Sequence, residues 1–168
     1  MTEPAQNQDN ITQGNAQDVP QSPSIPDSPA YTAAHVAATL VNTLWQGTGL
    51  PTAEARLSPV IDLQAGTEAV PSCYVVPVTF GMIRNSRASY QDTLGIAFIL
   101  CVEALDEAAA QAALARMHQA VRHLLDTAEY YGVKFVSADY PELFDYELLA
   151  NARIFRSQAN ISCKVFEL

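Results

Sequence analysis

Positive charge is missing from the start of the chain: none of its nine Lys and Arg precedes Arg56, whereas Glu3, Asp9, Asp18, Asp27 and Glu54 all do. With a formal charge of -9, the chain lacks the basic patch through which phosphate neutralisation supplies most nucleic-acid affinity. Such a chain could still surround DNA without gripping it, since like charge repels. Long apolar runs are missing too. No stretch approaches the roughly 20 residues needed to cross a bilayer. Residues 2–30 have neither the basic start nor the apolar segment of a secretory signal, so a soluble chain made in the cytoplasm is expected.

Cysteine is scarce. Cys73, Cys101 and Cys163 are an odd number without metal-type spacing. Each falls in a strand-like run, where a free thiol behaves as a small hydrophobe. His118 and His123 are five apart and do not share a helix face as a metal pair four apart would. A nucleophile elbow, a phosphate-binding glycine loop, a dinucleotide fingerprint and a paired-cysteine motif are all absent. Accordingly, the reading names no catalytic residue, no metal ligand and no cofactor.

What is present is organisation. The length of 168 residues suits one domain with an appendage and suffices for a real core. Residues 1–30 form a Pro/Ser/Gln/Asn-rich stretch with Pro20, Pro23, Pro26 and Pro29 every third position. So few apolar side chains cannot offset the entropy of ordering, and a flexible extended arm is expected there. Residues 31–168 read as a single α+β domain: a mostly antiparallel sheet with a long hairpin, and two main helices packed on one face.

The first helix is capped by Ser28-Pro29 or Thr32. It carries an apolar stripe through Val36, Ala37, Leu40, Val41, Leu44 and Trp45, and stops at Gly47-Thr48-Gly49-Leu50-Pro51. A short edge strand is expected over 55–63, limited by Pro59. The second helix is expected over 106–131, with Asp106 and Glu107 at its positive end and Gly132 at its stop. Its core stripe is Ala110, Leu114, Met117, Val121, Leu124 and Leu125. A short strand over 133–136, a turn over 137–141 and a helical turn capped by Asp145 follow. In the last strand Phe155, Ser157, Ala159, Ile161, Cys163 and Val165 alternate with Arg156, Gln158, Asn160, Ser162 and Lys164, the mark of an antiparallel strand with one wet face.

The hairpin over 72–103 is the most informative stretch. In its first strand Tyr74, Val76, Val78, Phe80 and Met82 share one phase, with Pro77 on the other, which suggests an edge or a bulge. In its second, Leu94, Ile96, Phe98, Leu100 and Val102 form one face and Gly95, Ala97, Ile99 and Cys101 the other. A strand apolar on both sides is normally central and covered twice; with few helices in the chain, another subunit is the candidate for the second cover. The tip from Arg84 to Asp92 is polar, and a long hairpin of this kind is expected to hold unpaired surface away from the core.

Two segments carry a resemblance. The run Tyr74-Val-Val-Pro-Val-Thr-Phe80, then Arg84-Asn-Ser-Arg87 and Tyr90-Gln-Asp92-Thr-Leu-Gly-Ile-Ala97, and the ending Glu147-Leu-Leu149, Arg153-Ile-Phe155-Arg-Ser157 and Ile161-Ser-Cys-Lys-Val-Phe166 resemble tail terminators of tailed bacteriophages. These are also called tail-completion proteins and act at the head–tail neck. The resemblance spans residues 33–168; the long N-terminal extension departs from the family pattern. It implies a homo-oligomeric, usually hexameric, ring that caps the tail tube, with tail tube protein and a neck or head-completion protein as partners. DNA passes through without specific binding, no membrane and no enzymatic step is involved, and the location is the virion, assembled in the host cytoplasm. Arg84, Arg87, Tyr90 and Asp92 are the implied interface residues. A portal–tail adaptor, and a small-ligand-binding domain or enzyme without a recognisable motif, are the alternatives.

Overall fold

The computed structural model describes residues 28–57, 70–84 and 90–166. The expected arm over 1–27 and most of the expected edge strand over 55–63 lie outside the described residues. The chain order is α1 (Pro29–Trp45), β1 (Ala53–Ala55), β2 (Ser72–Arg84), β3 (Tyr90–Glu103), α2 (Glu107–Asp126), β4 (Val133–Glu142), α3 (Tyr146–Ala152) and β5 (Ile154–Phe166). The five strands form one sheet in the order β1-β2-β3-β5-β4, antiparallel at every pairing except β1 with β2. The α+β reading, with α1 and α2 on one face of the sheet, holds.

The core lies between that sheet face and the two long helices. Ala33, Ala37, Val41 and Trp45 from α1, and Ala113, Met117, Ala120 and Leu124 from α2, bury against Leu94, Ile96, Phe98 and Leu100 of β3 and Phe155, Ala159, Ile161 and Cys163 of β5. Alanine at so many helix positions lets the helix backbones approach the sheet closely. The Trp45 and Phe98 rings meet at 5.8 Å.

Helix ends follow their local chemistry. Pro29 opens α1, and the Thr32 N–H and hydroxyl both donate to the Ser28 carbonyl (3.0 and 3.2 Å), while the Ser28 side chain makes no cap bond. The helix begins inside the segment expected to be arm, because proline suits the first turn. Asp106 caps α2 by accepting from the Ala109 N–H at 2.8 Å. Asp145 does the same for α3 through Leu148 at 3.0 Å. Helix α2 ends at Asp126, short of the expected Tyr131, because Thr127 turns extended and its N–H and hydroxyl both bind the His123 carbonyl. Gly132 belongs instead to a two-residue turn: Tyr130 and Val133 exchange backbone hydrogen bonds at 2.9 and 3.0 Å. Tyr131 (φ 48) and Gly132 (φ 72) both take positive φ there, the geometry of a tight hairpin turn.

Two strand expectations change. β1 occupies 53–55, where the Asn42 side chain clamps Ala53 from both sides, donating to its carbonyl at 2.9 Å and accepting from its N–H at 2.7 Å; beyond residue 57 the strand expected over 55–63 lies outside the described residues. β4 runs on through the expected turn to Glu142, with pairing irregularities between Phe135 and Ser137 and between Asp139 and Glu142. At the sheet edge Pro141 leaves no ladder hydrogen bond unmade, so the strand continues. In β2 the irregularity falls between Pro77 and Thr79: Val76 pairs with Ala97, Thr79 with Gly95 and Phe80 with Leu94. The extra residue breaks the phase expected to run from Tyr74 to Met82. The bulge suggested by Pro77 is there, and it switches the alternation.

β3 is central, as its two apolar faces required. Ala97, Ile99 and Cys101, on the face away from the long helices, are already buried within the single chain, Ile99 to 3% exposure. A second subunit is therefore not needed as their cover. Arg56, just past β1, lays its guanidinium over the Tyr74 ring at 4.0 Å.

Candidate functional site

The hairpin and the last strand, separated by more than fifty residues in sequence, lie side by side. β3 and β5 pair from Glu103 with Ile154 to Gln91 with Phe166. Arg84 pairs with Tyr90, and Asp92 pairs with Met82 on one side and Val165 on the other. Of the four implied interface residues, the backbone register thus gathers Arg84, Tyr90 and Asp92 at one end of the sheet; Arg87 lies outside the described residues. The hairpin is less free-standing than expected. Its β3 strand is flanked by β5 from Gln91 to Glu103, and the tip over 85–89 lies outside the described residues.

β4 and β5 add to that end. Val133 pairs with Val165 and Lys134 with Lys164, and the Phe166 N–H donates to the Gly132 carbonyl at 2.8 Å. Lys134 and Lys164 are direct cross-strand partners, so both project from the same side of the sheet. Like charges placed so are destabilising, and neither has an acidic partner among the described residues. Beside them the Tyr130 and Tyr131 rings meet edge to face at 4.6 Å, with Tyr131 72% exposed. Tyr and Arg are enriched where proteins bind one another. Sequence reasoning named the hairpin's share of this end and missed the tyrosine turn, because Tyr131 reads in sequence as the last residue of the second helix and Gly132 as its stop.

The opposite end of the sheet is different in kind. There the start of α2, α3 and the start of β5 enclose a cavity of about 430 Å³ lined by Ala104, Leu105, Ala110, Leu114, Phe144, Leu149 and Phe155, with Asp106, Glu107 and Arg153 among its polar groups. The Arg153 guanidinium donates to the Leu105 carbonyl. Leu105 itself stands 70% exposed. Convergent polar groups, which a small-molecule site needs to orient its ligand, are few here; the lining suits an apolar anchor.

The titratable groups inside the fold are inert. Burial pushes the Cys163 thiol up to about 12, and burial, then Cys101 and Glu54, raise the Cys73 thiol well above its ordinary value. Thiolates are scarce at such sites, and both sulfurs pack as small hydrophobes in the core. Burial also pushes Tyr140 to about 12; its hydroxyl is buried without a hydrogen-bond partner, and its ring meets His118 edge to face at 5.0 Å. No three His, Cys, Asp or Glu side chains cluster as a metal site among the described residues, and no described helix is long and apolar enough to cross a membrane.

No protein-family profile matches the chain, and no curated protein does. Among solved structures, a chain from the virion of a native gene transfer agent particle matches with a TM-score of 0.44 at 13% identity. The match covers 87% of this chain and 100% of that one. That likeness is too distant to carry an argument about function.

Proposed function

We propose that this chain is a structural virion protein that assembles as a homo-oligomeric ring at the head–tail interface, capping the tail tube and joining it to the neck. The observation that carries the reading is the meeting of the two segments that resemble tail terminators. Far apart in sequence, they become sheet neighbours, with Asp92 opposite Val165 and Gln91 opposite Phe166. The implied interface residues Arg84, Tyr90 and Asp92 fall at that same end of the sheet in the backbone register. Tail tube protein and a neck or head-completion protein are the partners in this reading, and the acidic balance of the chain suits a lumen through which DNA slides without sticking. Assembly takes place in the host cytoplasm, and the work is done by interfaces, not by a chemical step.

The test is the double charge reversal Arg84→Glu with Arg87→Glu. It is expected to leave the thermal melt unchanged while abolishing the oligomer seen by light scattering at micromolar concentration. A wild-type chain that stays monomeric, both alone and with tube protein, would overturn the ring. Unchanged assembly of the double variant would remove the hairpin end from the interface and leave the portal–tail adaptor position as the better placement.

A further inference from the structure

The two ends of the sheet are complementary to each other. At one end an exposed aromatic turn, Tyr130-Tyr131, stands beside Lys134 and Lys164, which have no acidic partner among the described residues; Asp126 and Glu129 precede the turn. At the other end the apolar cavity opens among Leu105, Phe144 and Leu149. Its lining includes Asp106 and Glu107 against Arg153, and the start of α3 beside it carries Asp145 and Glu147. One end thus offers an apolar anchor with cations, and the other an apolar socket with an excess of acids.

A single copy cannot join the two. Phe155 lines the socket, whereas Val165 pairs with the residue that follows the tyrosine turn. The ten residue steps along β5 from Phe155 to Val165 span roughly 33 Å at about 3.3 Å each. The contact therefore needs a second molecule, and the second molecule whose surface is known to carry the matching chemistry is another copy of this chain.

We propose that copies associate head to tail, with the Tyr131 turn of one seated in the Leu105–Phe144–Leu149 socket of the next and Lys134 and Lys164 facing the acids around it. This rests on the homo-oligomer part of the function proposed above and supplies its geometry. A cavity of about 430 Å³ falls within the roughly 300–1,000 Å³ of sites that hold compact ligands and admits an aromatic side chain. Contact with acids also relieves the repulsion between Lys134 and Lys164, which no acidic side chain among the described residues offsets. A contact made by two different patches is heterologous. It closes into a ring when the rotation between copies allows and otherwise grows as a filament; a symmetric dimer would need one self-complementary patch instead.

The experiment uses two full-length variants. Tyr131→Asn removes the anchor while keeping a residue type that tolerates the left-handed backbone. Leu105→Glu paired with Ala150→Trp adds charge and bulk at the socket on positions that are exposed in the single chain. Far-UV circular dichroism and urea midpoints matching wild type establish that each is folded. By light scattering, each variant alone is expected to be monomeric under conditions where wild type is oligomeric. An equimolar mixture is expected to give heterodimers, because one intact anchor meets one intact socket and the chain of contacts ends there. Wild-type oligomers with variants that still assemble fully would overturn the head-to-tail contact but spare the ring. Folded monomeric variants whose mixture stays monomeric would overturn it as well. A monomeric wild type would remove the homo-oligomer reading itself.

Discussion

Gly95 offers a prediction in which two effects of opposite sign compete. It sits in β3 opposite Thr79, next to the β2 bulge. A Cβ built on Gly95 would lie 2.2 Å from the Thr79 hydroxyl oxygen, whereas the Thr79 Cβ and a Val78 methyl would both be at 3.5 Å, ordinary contact. In a strand, replacing glycine by alanine gains about 0.5–1 kcal/mol through the smaller entropy loss on folding. Forcing extra volume into a packed site costs about 1–3 kcal/mol. Gly95→Ala is therefore expected to destabilise by about 1 kcal/mol, lowering the melting midpoint by roughly 3–5 °C for a domain of this size. With Thr79→Ala already in place the 2.2 Å obstruction is gone, and Gly95→Ala is expected to stabilise by about 0.5 kcal/mol. The coupling of about 1.5 kcal/mol stands clear of the roughly 0.3–0.5 kcal/mol scatter seen for independent sites. Urea titrations followed by fluorescence of Trp45, the single tryptophan and a core residue, measure all four corners of the cycle. The same sign for Gly95→Ala in both backgrounds would refute the steric account and the bulge register on which it depends.

Two further outcomes follow from the helix ends and the buried acids. Asp106→Ala, which removes the acceptor for the Ala109 N–H, is expected to cost about 1 kcal/mol by the same titration. Asp126→Ala is expected to be neutral or slightly stabilising, since an acid in the last turn opposes the helix dipole; equal losses at both ends would refute the capping argument. Cys163 and Tyr140 have folded-state values raised to about 12 and Cys73 is raised well above 9.0. In alkaline solution the folded state therefore holds protons that the unfolded chain releases. The contribution of these three groups to unfolding free energy is expected to be fully present below about pH 8 and to be lost as pH rises above about 9, with the thiols unreactive toward an aromatic disulfide reagent at pH 8 until the chain unfolds. Rapid labelling of Cys163 in the native state would contradict its burial.

Local order was legible wherever a residue's fate depends on near neighbours in the chain. The α1 and α2 stripes, the acidic caps at Asp106 and Asp145, and the alternation of β5 all read correctly, because helix and strand periods are written within a single segment. A boundary failed where pairing with a remote segment intervened: β5 carried β4 past Pro141, just as Asn42, eleven positions away, holds Ala53 in β1. At the candidate site the sequence pointed to the hairpin end through Arg84, Tyr90 and Asp92. It did not show that Tyr131, Lys134 and Lys164 stand at the same end, because that depends on β5 lying between β3 and β4.

By itself, then, the sequence determined an acidic α+β chain with two helices, a long hairpin, a central two-sided strand and buried free thiols. Composition and period are enough for that, since they express local propensity and the need to bury apolar area. The strand order, the parallel β1, the bulge that switches the phase of β2, and the burial of Ala97, Ile99 and Cys101 inside one copy were decided by tertiary structure. So was the placing of a cationic aromatic turn and an acid-rimmed socket at opposite ends of one sheet. Each of these comes from hydrogen bonds and packing between residues remote in sequence, whose pairing no local pattern encodes.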